Sequence, residues 1–320
     1  MKTPIVLRAL DGSNPLAFLA AVGTLRVLTM RLGHGVRMRW RRDGAWRPEL
    51  VGVEGPEERL SELVHGAVSV PVERLIRGLG KEDITVEPDT FRQFVRHLER
   101  ELTRDDVLEA DFAAAFGSEI CVQPRDDKRI QYTDLCFMTG SGHQHFLGTM
   151  EALKKSAQVS HVQDALFGEW RREQGNSMRW DPQDAAEYAL RWGDPSLDGA
   201  SAVWGANLLA AEALPVFGSF AVKGCRLATT GFRTGEEWQE FSWPIWTEWA
   251  GLDVVRSLVG MRQLQLKSAE TKQLDDERTG KTLDRVELRE MGIAEVYRSA
   301  RVRIGKGANF KVSFRPAAAV

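Results

Sequence analysis

The chain has 320 residues, 43% of them hydrophobic and 28% charged, with a formal net charge of −2. These values are those of a soluble globular protein with material for one large domain or two ordinary ones. They exclude polyanion binding through bulk charge, so any nucleic-acid contact must come from local basic patches.

Ile5, Val6, Leu7 and Leu10 have strand chemistry, and Asp11-Gly12-Ser13-Asn14 breaks the run. Asn14 is a good N-cap and Pro15 a good first helical residue, because the N–H that proline lacks has no partner there in any case. The following apolar positions predict a helix over 15–32 that is apolar on nearly every face, with Gly33 as its C-cap, and such a helix is buried by its neighbours. Its length approaches that of a membrane span, but Arg26 and Arg31 interrupt it, and the short apolar run between Lys2 and Arg8 does not read as a signal peptide. The expectation is a cytoplasmic protein with no membrane partner.

Val36, Met38 and Trp40 alternate with Arg37, Arg39 and Arg41, the period of a half-buried strand. Asp43-Gly44 suits a tight hairpin, and the return strand sets Trp46, Pro48 and Leu50 against Arg47 and Glu49. This predicts a hairpin over 36–51 with an apolar face and an arginine face. Helices are expected from Pro56 to Val68, around Phe91–Leu102 and over about 105–116, in a segment (82–119) with eleven acidic residues against four arginines. That segment reads as a solvated face or as a surface for a basic partner. Strands are expected at 120–122 and 131–138 around a polar turn, Arg125 to Arg129. Ser141 is expected to cap the next helix.

A helix around Val162–Trp170 opens the second half. A helix over about 200–214 follows, then strands at 219–222, 225–231 and 238–243, and helices near 252–260 and 283–291 flanking a polar connector, Ser268 to Lys281. The chain should close with a hairpin in which Arg301 and Arg303 oppose Ala300, Val302 and Ile304, and Lys311 and Arg315 oppose Phe310, Val312 and Phe314. The expected fold class is α+β (mixed α/β), with two halves, residues 1–158 and 159–320, each packing antiparallel strands and hairpins on helices.

Several runs resemble accessory proteins of type I-G CRISPR systems (formerly I-U), which include the large-subunit-like proteins of the RNA-guided surveillance complex. The first is Leu7 to Gly23, a Pro-Leu followed by a small-residue helix ending in Gly23-x-Leu25-Arg26. Others are Arg179-Trp180-Asp181-Pro182, Tyr188 to Pro195, Gly205-Ala206-Asn207-Leu208-Leu209 with Ala213-Leu214-Pro215, Thr230-Gly231-Phe232, and Phe241 to Trp246. The resemblance implies a cytoplasmic complex of guide RNA and several protein subunits that recognises foreign DNA.

Gly140-Ser141-Gly142 at a strand-to-helix junction could hold a phosphate on free N–H groups, with His143 and His145 as donors, or it could be a tight capped turn. The same histidines with Asp134 or Glu119 would be the ligands of a metal-dependent nuclease, but at i, i+2 on a helix start they diverge. Gly280-Lys281-Thr282 fails as a P-loop because Asp275 stands where the first glycine belongs, and no Gly-x-Ser-x-Gly elbow is present. The three cysteines (Cys121, Cys136, Cys225) form no Cys-x-x-Cys pair, which fits a reducing compartment and argues against structural zinc. Among the ten tryptophans, Trp243, Trp246 and Trp249 recur at every third residue, which suits core or interface packing, or base stacking.

The reading is a non-catalytic component of a type I-G CRISPR interference complex, with no cofactor and no metal. Guide RNA or target DNA and the other subunits would be its partners. Nucleic acid would meet Arg37, Arg39, Arg41, the 140–145 loop, Arg301, Arg303, Lys311 and Arg315. Alternatives are a metal-dependent nuclease or phosphoesterase around Asp134, His143 and His145, and a protein scaffold without a nucleic-acid role. Carboxylates of the same chain lying against the basic rows, or rows facing unrelated directions, would remove the basis for nucleic-acid binding.

Overall fold

A computed structural model describes residues 3–72, 79, 84, 86–101, 107–124, 126–138, 145–184, 201–235, 238–265, 285–304 and 311–320. The first half runs β1 (Ile5–Val6), α1 (Pro15–Leu32), β2 (Arg37–Asp43), β3 (Ala45–Val51), α2 (Glu57–Val68), α3 (Pro88–Glu101), α4 (Val107–Phe116), β4 (Gly117–Gln123), β5 (Asp126–Tyr132) and α5 (Phe146–Ser156). Then come α6 (Val159–Phe167), β6 (Glu173–Gln174), β7 (Ser201–Ala202), α7 (Trp204–Ala211), β8 (Ser219–Val222), β9 (Arg226–Thr229), β10 (Phe232–Thr234) and β11 (Gln239–Trp246). The chain closes with α8 (Leu252–Val259), α9 (Arg285–Glu290), β12 (Ile293–Ile304), β13 (Lys311–Phe314) and β14 (Ala318–Ala319). The fold is mixed α+β, as its patterning predicts.

Helix α1 starts and stops where its sequence dictates. The Asn14 side chain accepts hydrogen bonds from the N–H groups of Leu16 (2.8 Å) and Ala17 (3.2 Å), and Gly33 closes the helix at φ 91°. The helix has a mean hydropathy of 1.4 and is long enough to cross a membrane, yet 83% of it is buried inside the protein. It lies along α7, where Gly23 faces the backbone of Leu209. Phe18 on α1 packs against Trp40, Trp243 and Trp246 with ring centroids 5.7–6.3 Å away. A register shift between Ile245 and Trp246 lets both tryptophans of β11 reach this ring. Their indole N–H groups donate to Gly12 O (2.8 Å) and Met38 O (2.9 Å).

This core does not respect the expected boundary near residue 158. One hydrophobic cluster runs from Leu7 to Phe314 and takes side chains from both halves, so α1 and β11, more than two hundred residues apart, form a single interior. A β-bridge between Met38 and Ala250 ties the three-stranded sheet β1-β3-β2 to the segment after β11. The largest sheet has the order β10-β11-β12-β13, with β14 also on β12. Pro244 fits within β11 because β10 pairs only as far as Phe241, leaving the edge beside the proline without a strand partner among the described residues.

Two local expectations fail. The polar run 126–129 is not a turn but the start of strand β5, which ends at Tyr132 and does not reach Met138. A hairpin at the surface accepts charged residues on its solvent side, and composition alone mistakes such a strand for a loop. Helix α5 opens at Phe146 with His145 as its N-cap; Ser141, the expected cap, lies outside the described residues, as do the connector 268–281 and the run 188–195.

Candidate functional site

The first basic row is real as a row. On β2 and β3 the register Arg39↔Glu49 and Arg41↔Arg47 puts Arg37, Arg39, Arg41, Arg47 and Glu49 on one face. That face is not an open arginine surface, however. Glu49 is only 2% exposed, because Arg39 (2.9 Å) and Arg41 (3.1 Å) close over it, and Arg41 also lies 3.7 Å from Asp43. The Arg39 guanidinium stacks over Trp249, 4.4 Å from the ring centre, and Arg47 donates to Leu10 O at 3.1 Å. Arg37 stays exposed, with no ion-pair partner among the described residues. Four guanidiniums thus meet two carboxylates, and the face keeps a positive excess.

The terminal row does not exist. The observed register is Arg301↔Phe314, Val302↔Ser313, Arg303↔Val312 and Ile304↔Lys311. Residues directly opposite share a face, so Arg301 and Arg303 stand with buried Val312 and Phe314, whereas Lys311 belongs to the face of Val302 and Ile304. Parity within each strand is legible in the sequence, but the offset between the two strands is not. Arg301 is also consumed internally. It donates to Cys136 O (2.8 Å) and Gln239 Oε1 (3.0 Å), lies 3.7 Å from Asp134 and covers the Phe137 ring. Arg303 and Arg315 are exposed.

Gly140, Ser141, Gly142 and His143 lie outside the described residues. His145 is half-buried at the start of α5, its carbonyl accepting from Thr149 N at 2.9 Å. Asp134 accepts from Gln239 Nε2 (2.5 Å) and from no histidine among the described residues. Burial pushes its carboxyl up, against the opposing pull of Arg301. Among the described residues no group of three or more His, Cys, Asp or Glu is arranged to hold a metal.

The densest polar centre was missed as chemistry. It is the segment 172–184, which packs on the N-terminus of α1. Arg172 forks between Asp184 Oδ1 (2.8 Å) and Asp181 Oδ2 and also donates to Ser201 O (3.0 Å). Asp181 Oδ1 accepts from Asn14 Nδ2 (3.2 Å), and Asp184 Oδ2 accepts from Ser177 Oγ (2.5 Å). Asn176 (φ 53°) and Arg179 (φ 64°) hold left-handed backbone that non-glycine residues rarely adopt. Trp180 Nε1 donates to Leu135 O (2.9 Å) and Met178 N to Asn207 Oδ1 (2.9 Å). In the sequence, the only sign of this centre was the Arg-Trp-Asp-Pro run, which carried a resemblance and no assigned chemistry.

Two buried carboxylates sharing one guanidinium cannot both ionise at ordinary cost. Burial, then the Asp181 charge, raises the Asp184 pKa from 3.8 to about 6, with Ser177 and Arg172 opposing. Between those values the folded protein holds a proton that the unfolded chain has released. The stability this lends is present at low pH and is lost as pH rises through about 6. Urea unfolding from about pH 4 to about pH 7 should lose up to about 1.4 kcal/mol per pH unit at this site. Asp184→Asn should flatten that slope relative to the parent.

The residues that carry the resemblance have mainly internal duties. Asn14 caps α1, Gly23 lets α7 approach, Arg26 enters a buried ion network, Asp181 and Asn207 fasten the 172–184 segment, and Trp243 binds Gly12. They specify a fold nucleus. A scan of the chain against protein-family models finds no match, and a search of curated proteins finds none either.

Proposed function

We propose that the chain is a non-catalytic subunit of a cytoplasmic type I-G CRISPR interference complex, touching nucleic-acid backbone through the β2–β3 face. The resemblance of its sequence runs supports the setting. The contact rests on the co-facial set Arg37, Arg39, Arg41 and Arg47: the carboxylates Glu49 and Asp43 do lie against this row and count against the reading, but among the described residues they are two against four guanidiniums, and Arg37 stays exposed. Glu49 fixes two guanidiniums in place, so less side-chain freedom is lost when a phosphate docks. Arg301, Arg303, Lys311 and Arg315 are no longer part of this reading as a row, because their register divides them.

Fluorescence anisotropy with labelled single-stranded RNA and duplex DNA across a salt series tests it. Affinity should fall with salt, and Arg37→Glu with Arg41→Glu should reduce the logarithmic salt slope by about 2, about one per phosphate contact. Arg315→Glu should leave the slope unchanged. No salt-dependent binding by the parent would instead favour the scaffold reading, which the Glu49 ion pairs themselves support. For the nuclease reading, Asp134 is engaged by Gln239 and Arg301 rather than by a histidine among the described residues.

A further inference from the structure

Cys121 and Cys225 are about a hundred residues apart in the chain, on hairpins that the structure packs against each other. Cys121 lies on β4 and is fully buried; Cys225 is exposed in the three-residue loop that joins β8 to β9. The Gln131 side chain on β5 fastens the two hairpins together. Its amide nitrogen donates to Val122 O (2.6 Å) and to Cys225 O (3.4 Å), and its carbonyl accepts from Leu227 N (2.9 Å). The residue after Cys121 and Cys225 itself thus share one hydrogen-bond donor. The backbone of Cys225 is held at φ 53°, beside Gly224 at φ 81°. A side chain in that region is a local cost that glycine or asparagine would lessen, and such an outlier points to a use for the side chain.

We infer that Cys121 and Cys225 form a reversible disulfide that cross-links the β4–β5 and β8–β9 hairpins when a small-molecule disulfide such as oxidised glutathione is present. The exposed Cys225 thiolate attacks one sulfur of the oxidant and releases one glutathione thiolate, giving a mixed disulfide. The Cys121 thiolate then attacks the Cys225 sulfur and expels the second glutathione. Two protein thiols are oxidised and one oxidant disulfide is reduced to two thiols, so hydrogens and electrons balance. Burial, with Cys225 and Glu119 nearby, pushes the Cys121 thiol up, so the second step quickens as pH rises. Disulfides in reducing compartments are transient and regulatory, and an exposed partner beside a buried resolving thiol fits that use.

The test is to incubate the full chain with oxidised glutathione, quench with acid, and measure intact mass and non-reduced peptides. The expected result is the loss of two hydrogens, a Cys121–Cys225 linked peptide and full reversal by dithiothreitol. Cys121→Ser should stop at a stable glutathione adduct on Cys225. Cys225→Ser and Cys225→Ala should show neither adduct nor link, and Cys136→Ser should behave as the parent. A parent that stops at the Cys225 adduct, or that links Cys225 only between two chains, overturns the inference.

Discussion

Replacing Glu212 with alanine should lower the stability of the fold by about 3–5 kcal/mol, the usual cost of leaving a buried ion without its partner. Glu212 follows the last turn of α7 and faces two cations inside the protein. Arg26 of α1, with a fully buried side chain, reaches it at 3.1 Å, and Lys154 of α5, equally enclosed, at 2.8 Å. Arg26 also binds Asp111 of α4 at 3.2 Å, and Lys154 donates to Val68 O of α2 at 2.7 Å. Asp111 can still serve Arg26, but Lys154 would keep only a carbonyl. The variant is therefore worse than removal of the whole network by matched apolar residues would be. Equilibrium unfolding in urea reads the loss as a lower midpoint at unchanged slope. Lys155→Ala removes an exposed i,i+4 pair with Glu151 and should cost no more than about 0.5 kcal/mol. A Glu212→Ala loss no larger than that control would show that the buried network contributes little.

The second large effect concerns Gly23→Ala, where helix propensity and packing give opposite signs. Alanine in a helix interior is favoured over glycine by about 1 kcal/mol. At Gly23, however, a Cβ would stand 1.8 Å from the carbonyl oxygen of Leu209 on α7 and 3.1 Å from Ala213 N. Both are backbone atoms, so relief requires the two helices to move apart by more than an ångström along their closest contact. The expected outcome is a net loss of about 3 kcal/mol, at the upper end of overpacking costs. Gly66→Ala on α2 is the matched control, since nothing lies within 4 Å of its added methyl. It should gain up to about 1 kcal/mol from propensity alone. Equal shifts in the two variants would mean that α1 and α7 do not pack as described. Gly23 and Arg26, the partner of Glu212, both belong to the Gly-x-Leu-Arg end of the first resembling run, which gives that pattern a packing reason.

Where the sequence misled, it did so on matters of partnership. Glu49 was read as one of the polar residues beside Arg47, and it became the buried counter-charge of Arg39 and Arg41. Alternation assigns a residue to a side of a strand. It does not say whether that side meets water, another element or its own cross-strand neighbour. Asp181 and Asp184 drew no chemistry from the sequence, because no local period shows that Arg172 and Ser177 of the same segment fold back onto them, and Asn14 lies 167 residues from Asp181.

By itself the sequence determined the elements whose causes are local: the capped apolar helix α1, the Asp43-Gly44 hairpin, the arginine parity on β2 and the amphipathic helices α2 and α3. Each follows from side-chain period, capping chemistry or a residue with special φ, all of which act within a few residues. Only the tertiary structure decided the register of β12 on β13, the merging of two halves into one core, the ion network around Glu212 and the packing of the Cys121 hairpin against the Cys225 hairpin. Those depend on contacts between residues far apart in the chain, where a shift of one residue reverses a face and a backbone approach decides what a glycine is for.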